Sequence, residues 1–207
     1  MITLYHGTRA RSIRPLWTME ELGVPYRLKV IPFPVDPSYA DINPTGTVPY
    51  FLDGDLAMNE SAAICQYLAT RYGPSDLAVG PDEAGYGAWL NWLTFGEASM
   101  TFPLTRAFRY GGALAKRYGS YPDVAEQHLS TFRRNLERVD AALVDSEYLV
   151  ADRFTIADIS VAYNFQLLEM MKMTDLLSPA ATAYWARLKA RPAWARAQDR
   201  VEDSHPG

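Results

Sequence analysis

Cysteine is almost missing: Cys65 is the single one in 207 residues. No intramolecular disulfide and no Cys-rich metal site can be built from it, and a lone thiol fits a reducing compartment. Long apolar runs are missing too. The longest uncharged stretch runs from Ala84 to Gly96, short of the roughly 20 apolar residues a spanning helix needs. The start, MITLYHG, has neither a basic nor a long apolar segment, so the expectation is a cytoplasmic protein with no membrane partner. Charge of one sign does not dominate: 20 Lys and Arg face 24 Asp and Glu, a net −4. That balance gives no general attraction for nucleic acid. His6, His128 and His205 share no metal-ligand spacing, so no metal is assigned. A phosphate-cradling glycine loop, a G-x-S-x-G elbow and internal repeats are also lacking. With 48% hydrophobic and 21% charged residues, the chain has the makeup of a globular protein rather than a disordered one.

What is present falls into two styles. Up to about Gly80, short apolar runs alternate with helical segments and frequent Pro and Gly; beyond it the pattern is helical almost throughout. This places a first domain at 1–76, a linker at 77–83 and an all-α domain at 84–207. In the first, Ile2-Thr3-Leu4-Tyr5 reads as a strand, and Ser12 reads as the cap of a helix with Ile13, Leu16 and Trp17 on one face. Gly23 followed by Pro25 ends that helix. Tyr26 to Ile31 reads as a second strand and Asp36 to Ile42 as a short irregular or helical piece. Asp53-Gly54 turns a hairpin, and Asn59-Glu60-Ser61 opens another helix. The order is β-α-β-α-β-β-α.

In the second part, Trp89, Trp92 and Leu93 mark a helix bent at Pro103. Phe132, Leu136, Val139 and Leu143 mark another. Thr155 and Asp158 form a capping box opening a third helix towards Met171. Tyr184 and Leu188 sit on a fourth that stops before Pro192. The expectation is a bundle of about five helices. Cys65 reads as a small buried apolar residue, and Trp89, Trp92 and Phe95 as an apolar surface for a second copy of the chain.

Four signals stand in order: Leu4-Tyr5-His6-Gly7 with the loop to Ser12, Asn43-Pro44-Thr45-Gly46-Thr47-Val48-Pro49, Glu60-Ser61 before a helix, and Phe154-Thr155-Ile156-Ala157-Asp158. With Glu20-Glu21-Leu22-Gly23, this arrangement resembles the cytosolic glutathione transferase family over essentially the whole chain. The resemblance implies a thioredoxin-like domain followed by an all-α domain, glutathione as co-substrate and a homodimer. It implies that Pro49 is cis and that Thr47, Val48, Pro49, Glu60 and Ser61 bind glutathione. The bound thiol would be activated for attack on a small, mostly apolar electrophile. Met100, Phe102, Arg106 and Tyr110 are candidate walls for that electrophile, between the domains; a packed helix face is the other reading of the same four.

The departures bear on catalysis. Many relatives carry Ser or Cys early in the loop before the first helix, whereas this loop reads Gly7-Thr8-Arg9-Ala10-Arg11-Ser12. No thiol stands there, and the S-S-C signature of the maleylacetoacetate isomerase-like class is absent. The candidates for holding a thiolate are therefore Thr8, Arg11 and Ser12, or backbone N–H groups. Arg9, Arg11 and Arg14 read either as a solvated basic cluster or as charges beside the site. Two alternatives stay open at this point: a glutathione-binding protein without transferase activity, and a glutathione-dependent disulfide reductase or peroxidase of the same fold.

Overall fold

A computed structural model of the chain describes residues 1–32 and 34–203; His205 lies outside them. The elements in order are β1 (Ile2–Gly7), α1 (Ile13–Leu22), β2 (Tyr26–Ile31), a 3-10 turn (Pro37–Asp41), β3 (Tyr50–Asp53), β4 (Leu56–Met58), α2 (Ser61–Arg71), α3 (Tyr86–Phe95), a wide π-type segment (Gly96–Thr101), α4 (Phe102–Gly111), α5 (Ala115–Tyr118), α6 (Pro122–Ala142), α7 (Ile156–Met171), a second 3-10 turn (Thr174–Leu176), α8 (Pro179–Lys189) and α9 (Pro192–Asp203). Two compact units emerge: Met1–Ala78 with Leu188–Gly207, and Val79–Arg187. The first break lies between Ala78 and Val79. The chain from Leu188 onward groups with the first unit and not with the helical block that precedes it.

In the first unit the sheet order is β2-β1-β3-β4. β1 runs parallel to β2 and antiparallel to β3, with Leu4 opposite both Leu28 and Phe51. Central β1 is buried along nearly its whole length, whereas β2 alternates between partial and full exposure. That contrast follows from position: an inner strand covered on both faces needs apolar residues at every step, and a half-covered one needs them at every second. α1 buries eight consecutive residues, Ile13 to Glu20. Its end is as expected, with Gly23 left-handed at φ +65 and its N–H returned to the Met19 carbonyl.

The helix carrying Tyr184 and Leu188 ends at Lys189, before Pro192 as expected. Pro192 then opens a further helix, α9, that the sequence reading did not include, because a first-turn position needs no N–H and its fixed φ suits a helix. Two carboxylates on α1 hold α9. Arg191 Nε and Nη2 donate to Glu21 Oε1 and Oε2 at 2.6 and 2.8 Å. Arg196 donates to Glu20 Oε2 at 2.9 Å and to the Glu20 carbonyl at 2.7 Å. The Trp17 and Trp194 rings meet edge to face at 4.7 Å. The Glu20-Glu21 pair is thus structural in this chain.

In the second unit α7 is the central helix, with twelve buried residues from Ile156 to Leu168, the signature of a helix covered all round. Gly96 lets the π-type segment lie against it: a Cβ there would stand 2.5 Å from Ser160 Oγ. The irregularity expected at Pro103 is the π-type segment just before it. Pro103 has no N–H to offer the Ser99 carbonyl, and Asn135 Nδ2 takes that carbonyl instead, at 2.6 Å. Trp89, Trp92 and Phe95 are 1%, 8% and 7% exposed, which corrects their reading as an open apolar surface. They pack inside the chain, with Arg138 covering the Trp92 and Phe95 rings. Among the described residues, no helix is long and apolar enough to cross a membrane.

Candidate functional site

Three sequence signals of the first unit meet around the start of α1. The turn after β1 holds Thr8 and Arg9 exposed and Arg11 half-buried, with Arg9 left-handed at φ +63. Ser12 is fully buried. It stands at the helix-cap position but makes no side-chain cap bond, which corrects the capping expectation. Its hydroxyl instead closes the loop, accepting from the Gly7 N–H at 3.0 Å and donating to the Gly7 carbonyl at 3.3 Å. Both polar backbone groups of Gly7 are thereby satisfied within six residues.

Gly7 also admits the second signal. A Cβ at Gly7 would lie 2.7 Å from Val48 Cγ2, so only glycine lets the 43–49 loop come this close. That loop is organised by Asn43, which is 1% exposed. Its amide donates to the Thr47 carbonyl at 2.7 Å, and its side-chain carbonyl accepts from the Thr45 N–H and hydroxyl at 3.2 and 3.0 Å. Gly46 supplies the left-handed turn at φ +62. The Val48–Pro49 bond is cis. Thr47 is exposed, Val48 half-buried and Pro49 buried.

The third signal is the start of α2. Glu60 caps it by position only: its side chain is exposed and makes no capping bond. The first N–H groups of a helix lack intrahelical partners, and here no cap side chain takes them. Ser61, 2% exposed, accepts a hydrogen bond from Arg14 Nη1 at 3.2 Å. Arg14 is fully buried on α1. With Arg14 donating into its oxygen, the Ser61 hydroxyl keeps its own proton for an outside acceptor. A buried guanidinium, a serine O–H and an uncapped helix start are the kinds of donor that suit a carboxylate.

Residues 6–76 match the glutathione S-transferase N-terminal domain and residues 122–197 its C-terminal domain. Glutathione S-transferase 3 of Schizosaccharomyces pombe is 31% identical, over 99% of this chain and 89% of the relative. The chain belongs to the glutathione S-transferase family. A glutathione S-transferase of Hyoscyamus muticus is 33% identical over 77% of each chain. A family member from Pseudomonas fluorescens pf-5, solved with two glutathione bound, superposes with a TM-score of 0.82 at 25% identity, over 95% of this chain and 91% of that one. Both expected parts of the fold, thioredoxin-like and all-helical, belong to this family.

This glutathione S-transferase has a buried thiol of its own in Cys65, and burial pushes it up to about 12 although the Thr18 hydroxyl and Arg14 pull it down. It stays protonated near neutral pH and is no nucleophile. In the helical unit the structure separates the four second-substrate candidates. Met100 is fully buried in the π-type segment. Phe102 is 48% exposed, and Arg106 lies over its ring at 5.0 Å. Tyr110 meets Tyr121 edge to face at 5.7 Å. Among the described residues, no group of three His, Cys, Asp or Glu side chains is placed to hold a metal ion.

Sequence reasoning passed over Gly7 and Asn43 and left Arg14 undecided. The signal for Arg14 was available: it is a single charge inside the apolar run Ile13 to Trp17. A charge on a buried helix face needs a partner or a ligand.

Proposed function

We propose that this glutathione S-transferase holds glutathione along Thr47, Val48, Pro49, Glu60 and Ser61 and ionises its thiol beside the Thr8–Ser12 loop. The observation that carries the reading is the α2 start, left uncapped and backed by buried Arg14 through Ser61. It suits the carboxylate of the γ-glutamyl end, and the exposed Glu60 carboxylate suits the neighbouring ammonium. The Val48 backbone suits an extended peptide added as a strand.

Ionising the thiol is the chemical task. A thiol near pKa 8.5 is only a few per cent thiolate at neutral pH, and lowering it by about two units takes ~2.7 kcal/mol in favour of the anion. One hydrogen bond to a charged acceptor supplies roughly 1.5–3 kcal/mol, and a helix start about 0.3–1. Thr8 and Arg11 are the side chains proposed to give that stabilisation. Ser12, bonded to both backbone groups of Gly7, positions the loop. The thiolate then forms a sulfur–carbon bond to an apolar electrophile, the leaving group departing with the bonding pair. Phe102, Arg106 and Tyr110 are the proposed walls, and Met100 is buried in the π-type segment just before them. The active species is proposed to be a homodimer, with a sedimentation mass near twice the 23.2 kDa chain.

The test is the ultraviolet absorbance of bound thiolate titrated against pH. Thr8→Val or Arg11→Ala raises the apparent pKa, with glutathione affinity changing less. If both titrate like the parent, the side-chain account fails and backbone N–H groups hold the sulfur.

A further inference from the structure

From Ala98 to Pro122 the chain carries four cations, Arg106, Arg109, Lys116 and Arg117, and no acid, although the whole protein has an excess of acid. Three of these cations lie over aromatic faces. Arg106 is 5.0 Å from the Phe102 ring centre, and Arg109 and Arg117 are 3.8 and 5.4 Å from that of Tyr118. Among the described residues no side chain of the three makes an ion pair or a hydrogen bond, and Arg109 Nε is buried with no acceptor. The acids that other arginines use are engaged elsewhere: Glu126 with Arg133, Glu83 with Arg153. Helix periodicity puts residues 102, 106, 109 and 110 on one side of α4. The Arg109–Tyr118 and Tyr110–Tyr121 contacts bring the following turn onto that side.

A half-buried guanidinium without a counter-charge is held at a desolvation cost. Contact over a ring occupies its face and leaves the in-plane N–H edge for a planar acid. We propose that this face selects an anionic second substrate: a flat aromatic electrophile that carries a carboxylate. The rings take the body of the substrate and Arg109, with Arg117 beside it, takes its charge. The inference rests on the reading that this side of α4 receives the second substrate, and it replaces a purely apolar specificity with a charge-selective one.

The test pairs 1-chloro-2,4-dinitrobenzene with 4-chloro-3,5-dinitrobenzoate, each rate divided by the uncatalysed rate with glutathione. In both, sulfur bonds to the ring carbon as chloride leaves with the carbon–chlorine pair, and the thiol proton goes to water. The parent prefers the carboxylate in kcat/KM by about tenfold or more, the scale of one hydrogen bond between charged groups. Arg109→Gln with Arg117→Gln removes that preference, and raised salt erodes it, because partly exposed charges are screened. Arg109→Lys keeps the charge and retains part of the preference; a loss as large as with Gln assigns Arg109 to packing and overturns the proposal. Equal use of both substrates by the parent also overturns it. If neither compound is conjugated, the transferase reading fails separately, and direct binding decides this one. An anilinonaphthalene sulfonate must then bind the parent more tightly than neutral N-phenyl-1-naphthylamine, and lose that advantage in the double Gln variant. Equal binding of the two probes is the overturning result.

Discussion

Two helices begin with the same problem and resolve it in opposite ways. At the start of α7, Asp158 is fully buried and accepts four hydrogen bonds: from the Leu149 N–H at 3.1 Å, the Thr155 N–H at 2.8 Å, the Thr155 hydroxyl at 3.2 Å and the Tyr184 hydroxyl at 2.7 Å. The Thr155 hydroxyl in turn accepts from the Ala157 N–H. Burial pushes the Asp158 carboxyl above its ordinary range even though those donors pull it down. At the start of α2, Glu60 makes no capping bond, and buried Ser61 accepts a hydrogen bond from buried Arg14. The first start is closed by the chain's own acid; the second carries no side-chain cap, and on that the proposed carboxylate site rests. On the proposed reading, a helix start serves binding when the chain withholds its own cap and buries a cation beside it.

Breaking the closed start has the largest effect. Asp158→Ala leaves several buried donors without acceptors, each loss worth about 1–3 kcal/mol. Urea unfolding is expected to show a deficit of roughly 3–5 kcal/mol, in the range reserved for buried polar networks. A deficit under about 1 kcal/mol would mean that this start is no better closed than the other.

Breaking the open start acts on binding instead. Ser61→Ala is expected to weaken glutathione by about 1–3 kcal/mol in calorimetry. Parent protein that gives no heat with millimolar glutathione removes the site altogether. Arg14→Gln sharpens the point through coupling. If Arg14 works by orienting Ser61, the double variant loses less affinity than the two single losses added, by roughly 0.5–3 kcal/mol. Strict additivity would separate the two residues.

Closing the open start converts one helix into the other. Glu60→Ser supplies a cap oxygen and is expected to stabilise the fold by about 0.5–1 kcal/mol, while glutathione affinity falls. A variant both steadier and tighter-binding contradicts the comparison. The smallest effect concerns Cys65: a thiol-reactive disulfide reagent leaves the native protein unlabelled near neutral pH and labels one site per chain in denaturant. Labelling of the native protein at the rate of a free thiol would remove the assignment of Cys65 as an inert core residue.

The parts of this account legible in the residues are those with local causes. The capping box at Thr155 and Asp158, the Gly23 stop and the Asp53-Gly54 hairpin depend on contacts a few residues apart. Periodicity located α6 and α7 for the same reason. α9 escaped because Pro192 reads equally as a stop or as a first-turn residue, and only the pairing of Arg191 and Arg196 with Glu21 and Glu20 decides between them. Trp89, Trp92 and Phe95 look the same in sequence whether they face a partner chain or their own core.

By itself the sequence determined the two styles of chain and the order of elements in the first unit, while its resemblance to a family implied where glutathione recognition was to be sought. Each rests on backbone chemistry and short-range pattern, which hold wherever the segment is placed. Tertiary structure alone decided which charges are buried and what they touch. Arg14 reaches Ser61 across 47 residues, and Glu21 meets Arg191 across 170. Gly7 matters because Val48 arrives beside it. Burial and long-range partners set whether a polar group is a solvated surface charge, a structural clamp or a ligand contact, and no local pattern encodes which neighbours the fold will bring.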